Sequence, residues 1–178
     1  MLEIGSKVVI MGDWDTAPVP DEKAAVRLCP MPKELYLYGY GWNSSTQTMI
    51  RFLETRLLPG QRVLDIGTGT GILAIAAVAL GASSVTATDT DPVALSQARR
   101  NAAASAASID FHEGTLFGKE YDLILCNIGA GDILHAVVSA IPELLLSGGA
   151  GYLSCLPEQV TTLEQSALLL GLATGWEI

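Results

Sequence analysis

The stretch Asp65-Ile-Gly67-Thr-Gly69-Thr-Gly71 sets an acid two residues ahead of three alternating glycines. A β-rich run, RVLDIG (62–67), leads into it, and an Ala/Leu-rich helical pattern, Ile72–Leu80, leads out. Glycine at a strand-to-helix turn permits positive φ and lets a ligand come close to the backbone. Free N–H groups at the helix start add partial positive charge. Residues of these types in this order suit a cradle for a small molecule, formed by Asp65, Gly67, Thr68, Gly69 and Gly71. Asp89 ends the next β-rich run, Ser84–Asp89, where a carboxylate can accept hydrogen bonds from both hydroxyls of a ribose. Asp91 is the rival acid, but with Pro92 behind it fits a helix N-cap better. Loop and acid together indicate a nucleoside-containing ligand. The competing reading is a glycine turn that serves only strand–helix packing, with Asp89 as a turn residue.

Two other nucleotide signatures fare worse. A dinucleotide fingerprint GxGxxG/A can be placed on Gly69, Gly71 and Ala74 only as a weak match. No Walker lysine follows the loop, which excludes the ATP P-loop reading.

The elements that must position these residues alternate. After the strand–loop–helix unit, Gly81 stands where a left-handed helix terminus is expected. Asp91 opens a helix to about Ala106, Ile109–Glu113 and Tyr121–Asn127 read as further strands, and a helix begins at Asp132. Pro142 is expected to interrupt that helix and start a short turn, which Gly148–Gly149 ends. Ala150–Leu156 is the fifth strand and Glu158–Leu170 the last helix. Such alternation predicts a mostly parallel α/β sheet with helices on both faces. Ahead of this core (61–178) lies a less regular lead-in (1–60). It contains the turn-rich DTAPVPDEK (15–23) and a helix through about Leu58, for which Ser44 and Gln47 can form a capping box. Both parts are assigned to one domain, 1–178.

The acid-then-glycines pattern resembles motif I of the class I S-adenosylmethionine-dependent methyltransferases. RVLDIGTGTGILAIAAVALGASSVTATDTDPVALSQARRNA (62–102) is similar to the ribosomal protein L11 methyltransferase (PrmA) family, in which a GILAIAA helix and a D-x-DP strand end are typical. VRLCP (26–30), YGYGWNSST (38–46) and LILCNI (123–128) match further segments of that family in order. The resemblance implies a Rossmann-like class I methyltransferase fold, with S-adenosyl-L-methionine as cofactor and S-adenosyl-L-homocysteine as product. It implies cofactor contacts at Thr46, Gly67, Asp89 and Asn127, with Thr115 near the adenine. Asn127 is the candidate catalytic residue, its carbonyl able to accept from an attacking N–H. The family's FGTGTH stands here as Tyr38-Gly39-Tyr40-Gly41-Trp42-Asn43. Tyr40 and Trp42 are therefore candidates to cover the cofactor or to meet a cationic amine by cation–π contact. The family's N-terminal substrate-recognition domain and its final strand are expected to be missing. The latter would leave an edge open to pairing with a second copy, hence a possible homodimer.

Composition bounds the rest. A net charge of −9 disfavours a substrate gripped by its phosphates and suits a basic protein partner. Lys119 is the last basic residue, and seven acids follow it from Glu120 to Glu177. Ile72–Leu80, the longest apolar stretch, is too short to span a bilayer, and MLEIGSKVV lacks a signal-peptide core. A soluble, cytoplasmic protein without membrane or nucleic-acid partner is expected. Cys29, Cys126 and Cys155 have no metal-ligand spacing and read as buried thiols. The chemistry expected is methyl transfer to nitrogen, on a protein lysine or amino group. The alternatives are a small-molecule amine acceptor, a non-catalytic binding module of the same fold, and a nicotinamide-dependent oxidoreductase.

Overall fold

The computed structural model describes residues 1–12, 14–31, 40–115, 118, 120–128 and 131–154. Its first strands lie where no alternation marks them. β1 (Leu2–Ile4), β2 (Val8–Gly12) and β3 (Ala24–Leu28) form a sheet in that order, antiparallel across the first pair and parallel across the second. Val8, Val9, Ile10 and Met11 are all buried, so β2 reads as a continuous apolar run, not as a half-exposed strand.

α1 (Ser44–Arg56) corrects one expectation. Its N-cap is Asn43, without a side-chain cap bond, so Ser44 is already helical. Gln47 then falls one position past the place a capping box requires. Its Nε2 donates instead to the Gly41 carbonyl at 3.0 Å. Near the other end of α1, the Glu54 carboxylate accepts the backbone N–H groups of Ser6, Lys7 and Val8 at 2.9, 2.8 and 3.1 Å. The β1–β2 turn is thereby seated on the helix.

Beyond it run β4 (Arg62–Ile66), α2 (Ile72–Ala79), β5 (Ser84–Asp89), α3 (Pro92–Ala104), β6 (Asp110–Glu113), β7 (Tyr121–Cys126), α4 (Gly131–Leu144) and β8 (Leu145–Leu153). β4 to β8 form one parallel sheet in the order β6-β5-β4-β7-β8. The chain builds outward from β4 through β5 to β6, then returns to β4's other side as β7. The reversal opens a crevice at the carboxyl ends of β4 and β7.

Strand alternation divides the core. Val63, Leu123 and Leu125 face the layer of α1, α2 and α3, and the N-terminal sheet packs into that same layer. Leu64, Ile66, Ile124 and Cys126 face α4. Helices thus cover both faces, as the alternation predicts.

α4 and β8 depart from the expected boundaries. α4 continues through Pro142 to Leu144. Leu134, Val137, Val138, Ile141 and Leu144 are all buried in one stripe, while Pro142 sits on the exposed side. Packing of that stripe holds the last turn despite the missing N–H. The helix therefore ends before Gly148–Gly149, which fall within β8. There the register jumps from Tyr121↔Leu145 to Leu123↔Ala150, so 146–149 bulge out of the ladder. The expected last helix (158–170) and Cys155 lie outside the described residues. Among the described residues no helix is long and apolar enough to cross a membrane.

Candidate functional site

From the end of β4 the chain enters α2 through Gly67, Gly69 and Gly71, whose φ angles are 67°, 56° and 80°. Side chains at these angles are strained. At Gly67 a Cβ would also collide with the Ile128 side chain, and at Gly71 it would stand 3.1 Å from Cβ of Ala98. The loop is held between the end of β7 and the face of α3.

Asp65 lies beneath the loop, 1% exposed. Its carboxylate accepts from the Thr68 hydroxyl at 2.7 Å and from the Ala74 N–H. Burial pushes its pKa up to about 7 against the pull of those two bonds, and the Asp89 charge adds to the rise. Counted from sequence among ligand contacts, Asp65 is turned inward and shapes the loop. Thr68 is buried beside it, its N–H donating to the Thr88 carbonyl at 2.9 Å. Cys126, on β7, is fully buried, and burial, with the Asp65 charge nearby, pushes its thiol up to about 12. It is an inert core thiol.

At the end of β5 the two candidate acids divide their tasks. Asp89 accepts the Gly69 N–H at 2.9 Å on Oδ2 and the Asp91 N–H at 3.0 Å on Oδ1. Asp91 caps α3, its carboxylate accepting the Val93 N–H at 2.8 Å. The Gly114 N–H donates to the Asp89 carbonyl at 2.9 Å, and the Thr88 hydroxyl to the Thr115 carbonyl at 2.9 Å. Thr115 is thereby fixed beside the Asp89 strand end.

Asn127 follows β7 and closes the crevice from the other side. Its Nδ2 donates to the Thr46 hydroxyl of α1 at 3.2 Å, and its Oδ1 accepts from the Ser154 hydroxyl at 2.5 Å. Thr46 is 1% exposed. Ser154 has no motif to mark it. Only the pairing of β8 with β7, continued by the Ser154 N–H to the Cys126 carbonyl at 2.9 Å, brings it to Asn127.

The two aromatics differ. Tyr40 packs against the core, with its hydroxyl buried and without a hydrogen-bond partner among the described residues. That burial raises its pKa. Trp42 is 73% exposed. Positions 32–39 between β3 and this segment lie outside the described residues. Among the described residues no cluster of three His, Cys, Asp or Glu side chains could hold a metal ion.

The sequence profile of the family described as ribosomal protein L11 methyltransferase (PrmA) matches residues 2–169. The chain belongs to this family. A PrmA relative, the ribosomal protein L11 methyltransferase of Symbiobacterium thermophilum, is 34% identical over 187 residues, covering 97% of this chain and 59% of the relative. That of Caldicellulosiruptor saccharolyticus is 38% identical over 151 residues, covering 83% of this chain and 48% of the relative. The chain therefore spans about half the length of these relatives. The crystal structure of a ribosomal protein L11 methylase from Lactobacillus delbrueckii subsp. bulgaricus superposes with a TM-score of 0.81 at 29% identity, covering 93% of this chain and 84% of that one. The PrmA match begins at residue 2, so the β1–β3 sheet falls within the matched span.

Proposed function

We propose that the chain binds S-adenosylmethionine in the crevice at the ends of β4, β5 and β7 and transfers its methyl group to a nitrogen of a protein. Asp89 carries this reading. It stands at the strand end where a ribose is held in folds of this topology, and it is already bonded to Gly69 of the loop. A carboxylate has about four acceptor positions. Asp89 spends two of them on Gly69 and Asp91, which leaves one on each oxygen for a pair of ribose hydroxyls. The residues present therefore fit the cofactor.

When bound, S-adenosylmethionine supplies a methyl group already activated by a positive sulfur. The chain's own residues then bind and orient. Gly67, Gly69 and Gly71 offer backbone without side chains. Asp65 and Thr68 hold the loop's shape from below. Thr115 lies on the adenine side, Thr46 and Asn127 on the methionine side. Asn127 is the residue in contact with the acceptor: one lone pair of Oδ1 takes the Ser154 hydroxyl, and the other can take the acceptor's N–H. Alignment of this kind can lower a barrier by ~7–11 kcal/mol. A lysine amine, with a pKa near ~10.4 in water, must lose a proton before it attacks, and desolvation of the amine on binding favours its neutral form.

The acceptor class is drawn from charge and kinship. A net charge of −9 attracts a basic partner. Ribosomal protein L11, named in the relatives, is the first acceptor to test. Parallel calorimetric titrations with S-adenosylmethionine, S-adenosylhomocysteine and NAD test the cofactor. Binding of the first two and not NAD is expected, and preference for NAD or no binding at all overturns the reading.

A further inference from the structure

We infer that Asn101 is a positioning residue that sets the glycine loop against α3 and against the end of β3. The inference rests on the loop being the cofactor cradle.

Asn101 is fully buried on α3 and makes bonds in three directions. Its Oδ1 accepts the Cys29 N–H at 2.8 Å and Nε2 of Gln97 at 3.1 Å. Its Nδ2 donates to the Thr70 carbonyl at 2.8 Å. Gln97 Nε2 also donates to the Cys29 carbonyl at 3.2 Å. The amide cannot flip, because Cys29 presents a donor and Thr70 an acceptor. Buried networks with every member satisfied are stiff, and each bond is costly to leave unmade.

Thr70 precedes Gly71, the left-handed residue that caps α2. Holding the Thr70 carbonyl therefore fixes the height of the loop's exit, one turn of α3 away from the Ala98–Gly71 contact. Cys29 directly follows β3. One side chain thus ties the loop to the end of β3.

A neighbour separates this role from simple anchoring. Ser105 Oγ accepts the Arg27 N–H at 2.8 Å and donates to the Arg27 carbonyl at 3.2 Å. It also fastens β3 to the end of α3, but both its side-chain bonds go to Arg27. Ser105→Ala removes the anchoring alone.

The experiment compares Asn101→Asp, Asn101→Ala and Ser105→Ala with the unsubstituted chain, each checked for folding by circular dichroism. Two quantities are read: amide hydrogen exchange at 69–72 without ligand, and calorimetric affinity for S-adenosylhomocysteine. Asn101→Asp keeps the oxygen that Cys29 needs and turns a second oxygen toward the Thr70 carbonyl. It is expected to speed loop exchange and weaken ligand binding roughly tenfold or more, with Ser105→Ala within about twofold on both. A folded Asn101 variant indistinguishable from Ser105→Ala overturns the inference. So does exchange that rises along all of α3 and β3 and not selectively in the loop. If neither Asn101 variant folds, the Asn101 side-chain amide signals of the unsubstituted chain decide by nuclear magnetic resonance. They shift on saturation with S-adenosylhomocysteine if the loop is held through them, and a fixed signal overturns the role. An unsubstituted chain that binds no S-adenosylhomocysteine defeats the cofactor reading instead, and loop exchange still decides the role of Asn101.

Discussion

Asp89 and Gly69 are joined by one hydrogen bond, from the glycine N–H to carboxylate Oδ2 at 2.9 Å. The acid that would receive the ribose also holds the loop that would receive the rest of the cofactor. Asp89→Ala removes both functions. It is expected to weaken S-adenosylhomocysteine binding roughly 10- to 150-fold, as loss of hydrogen bonds to a charged group costs ~1.5–3 kcal/mol. Calorimetry measures the loss, with circular dichroism to show the fold intact. Unchanged affinity refutes the ribose assignment.

Asp65 makes stability depend on pH. Its folded-state pKa of about 7 stands above the ~3.9 of an unstructured aspartate, because burial disfavours its charge. The folded chain holds the proton more tightly than the unfolded one. As pH climbs from about 4 to about 7 the unfolded state ionises first, so this group's contribution to stability is lost over that window. Asp65→Asn removes the titration. In urea unfolding the variant should gain on the parent between about pH 5 and 8, by on the order of 1–3 kcal/mol. A difference flat in pH would show Asp65 ionised throughout.

Thr46 is the acceptor for Asn127 Nδ2 and is almost wholly buried. Thr46→Val keeps the shape and deletes the acceptor. Asn127 is half-buried, so loss of this bond is expected to cost roughly 1 kcal/mol, and thermal unfolding should shift downward by about 2–4 °C. A melting temperature equal to the parent's would mean that water or Ser154 satisfies the amide.

Glu54 holds the β1–β2 turn through three backbone N–H groups. The bonds to Ser6 and Lys7 are solvent-exposed, so water replaces much of what Glu54→Ala removes. We expect a loss of roughly 1 kcal/mol. Exchange of the Lys7 and Val8 amides should quicken while that of β4 and β5 stays as it was. Protection unchanged at Lys7 and Val8 would mean the turn is held by its own geometry.

Features legible in the sequence are those with a local cause. The glycines announce positive φ, Asp91 and Pro92 announce a helix start, and the strand–helix alternation from Arg62 onward announces a parallel sheet. Each is a statement about neighbours along the chain, and the structure agrees. The hidden parts depend on distant contacts. β2 is apolar at four consecutive positions because both its faces are covered, which erases the alternation by which a strand is recognised. Pro142 looks like a helix breaker until the stripe from Leu134 to Leu144 is seen packing past it. Gln47 looks like a capping-box residue until the helix is found to begin one residue early. Asn127 is visible as a strand-end amide, but Ser154 and Asn101 are not, because only strand register and helix packing bring them to the site.

The candidate site also has a place in the time course of folding. Thr46 and Asn127 are 81 residues apart in the chain, and Cys29 and Asn101 are 72 apart. Closing loops of that size is entropically costly and slow, whereas β4, α2 and β5 can meet as neighbours. The crevice is therefore among the last features the chain completes, and capacity to bind ligand reports that the long closures have been made. By mass action, a ligand that recognises only the closed form then stabilises every contact on which closure depends, including those of the N-terminal sheet.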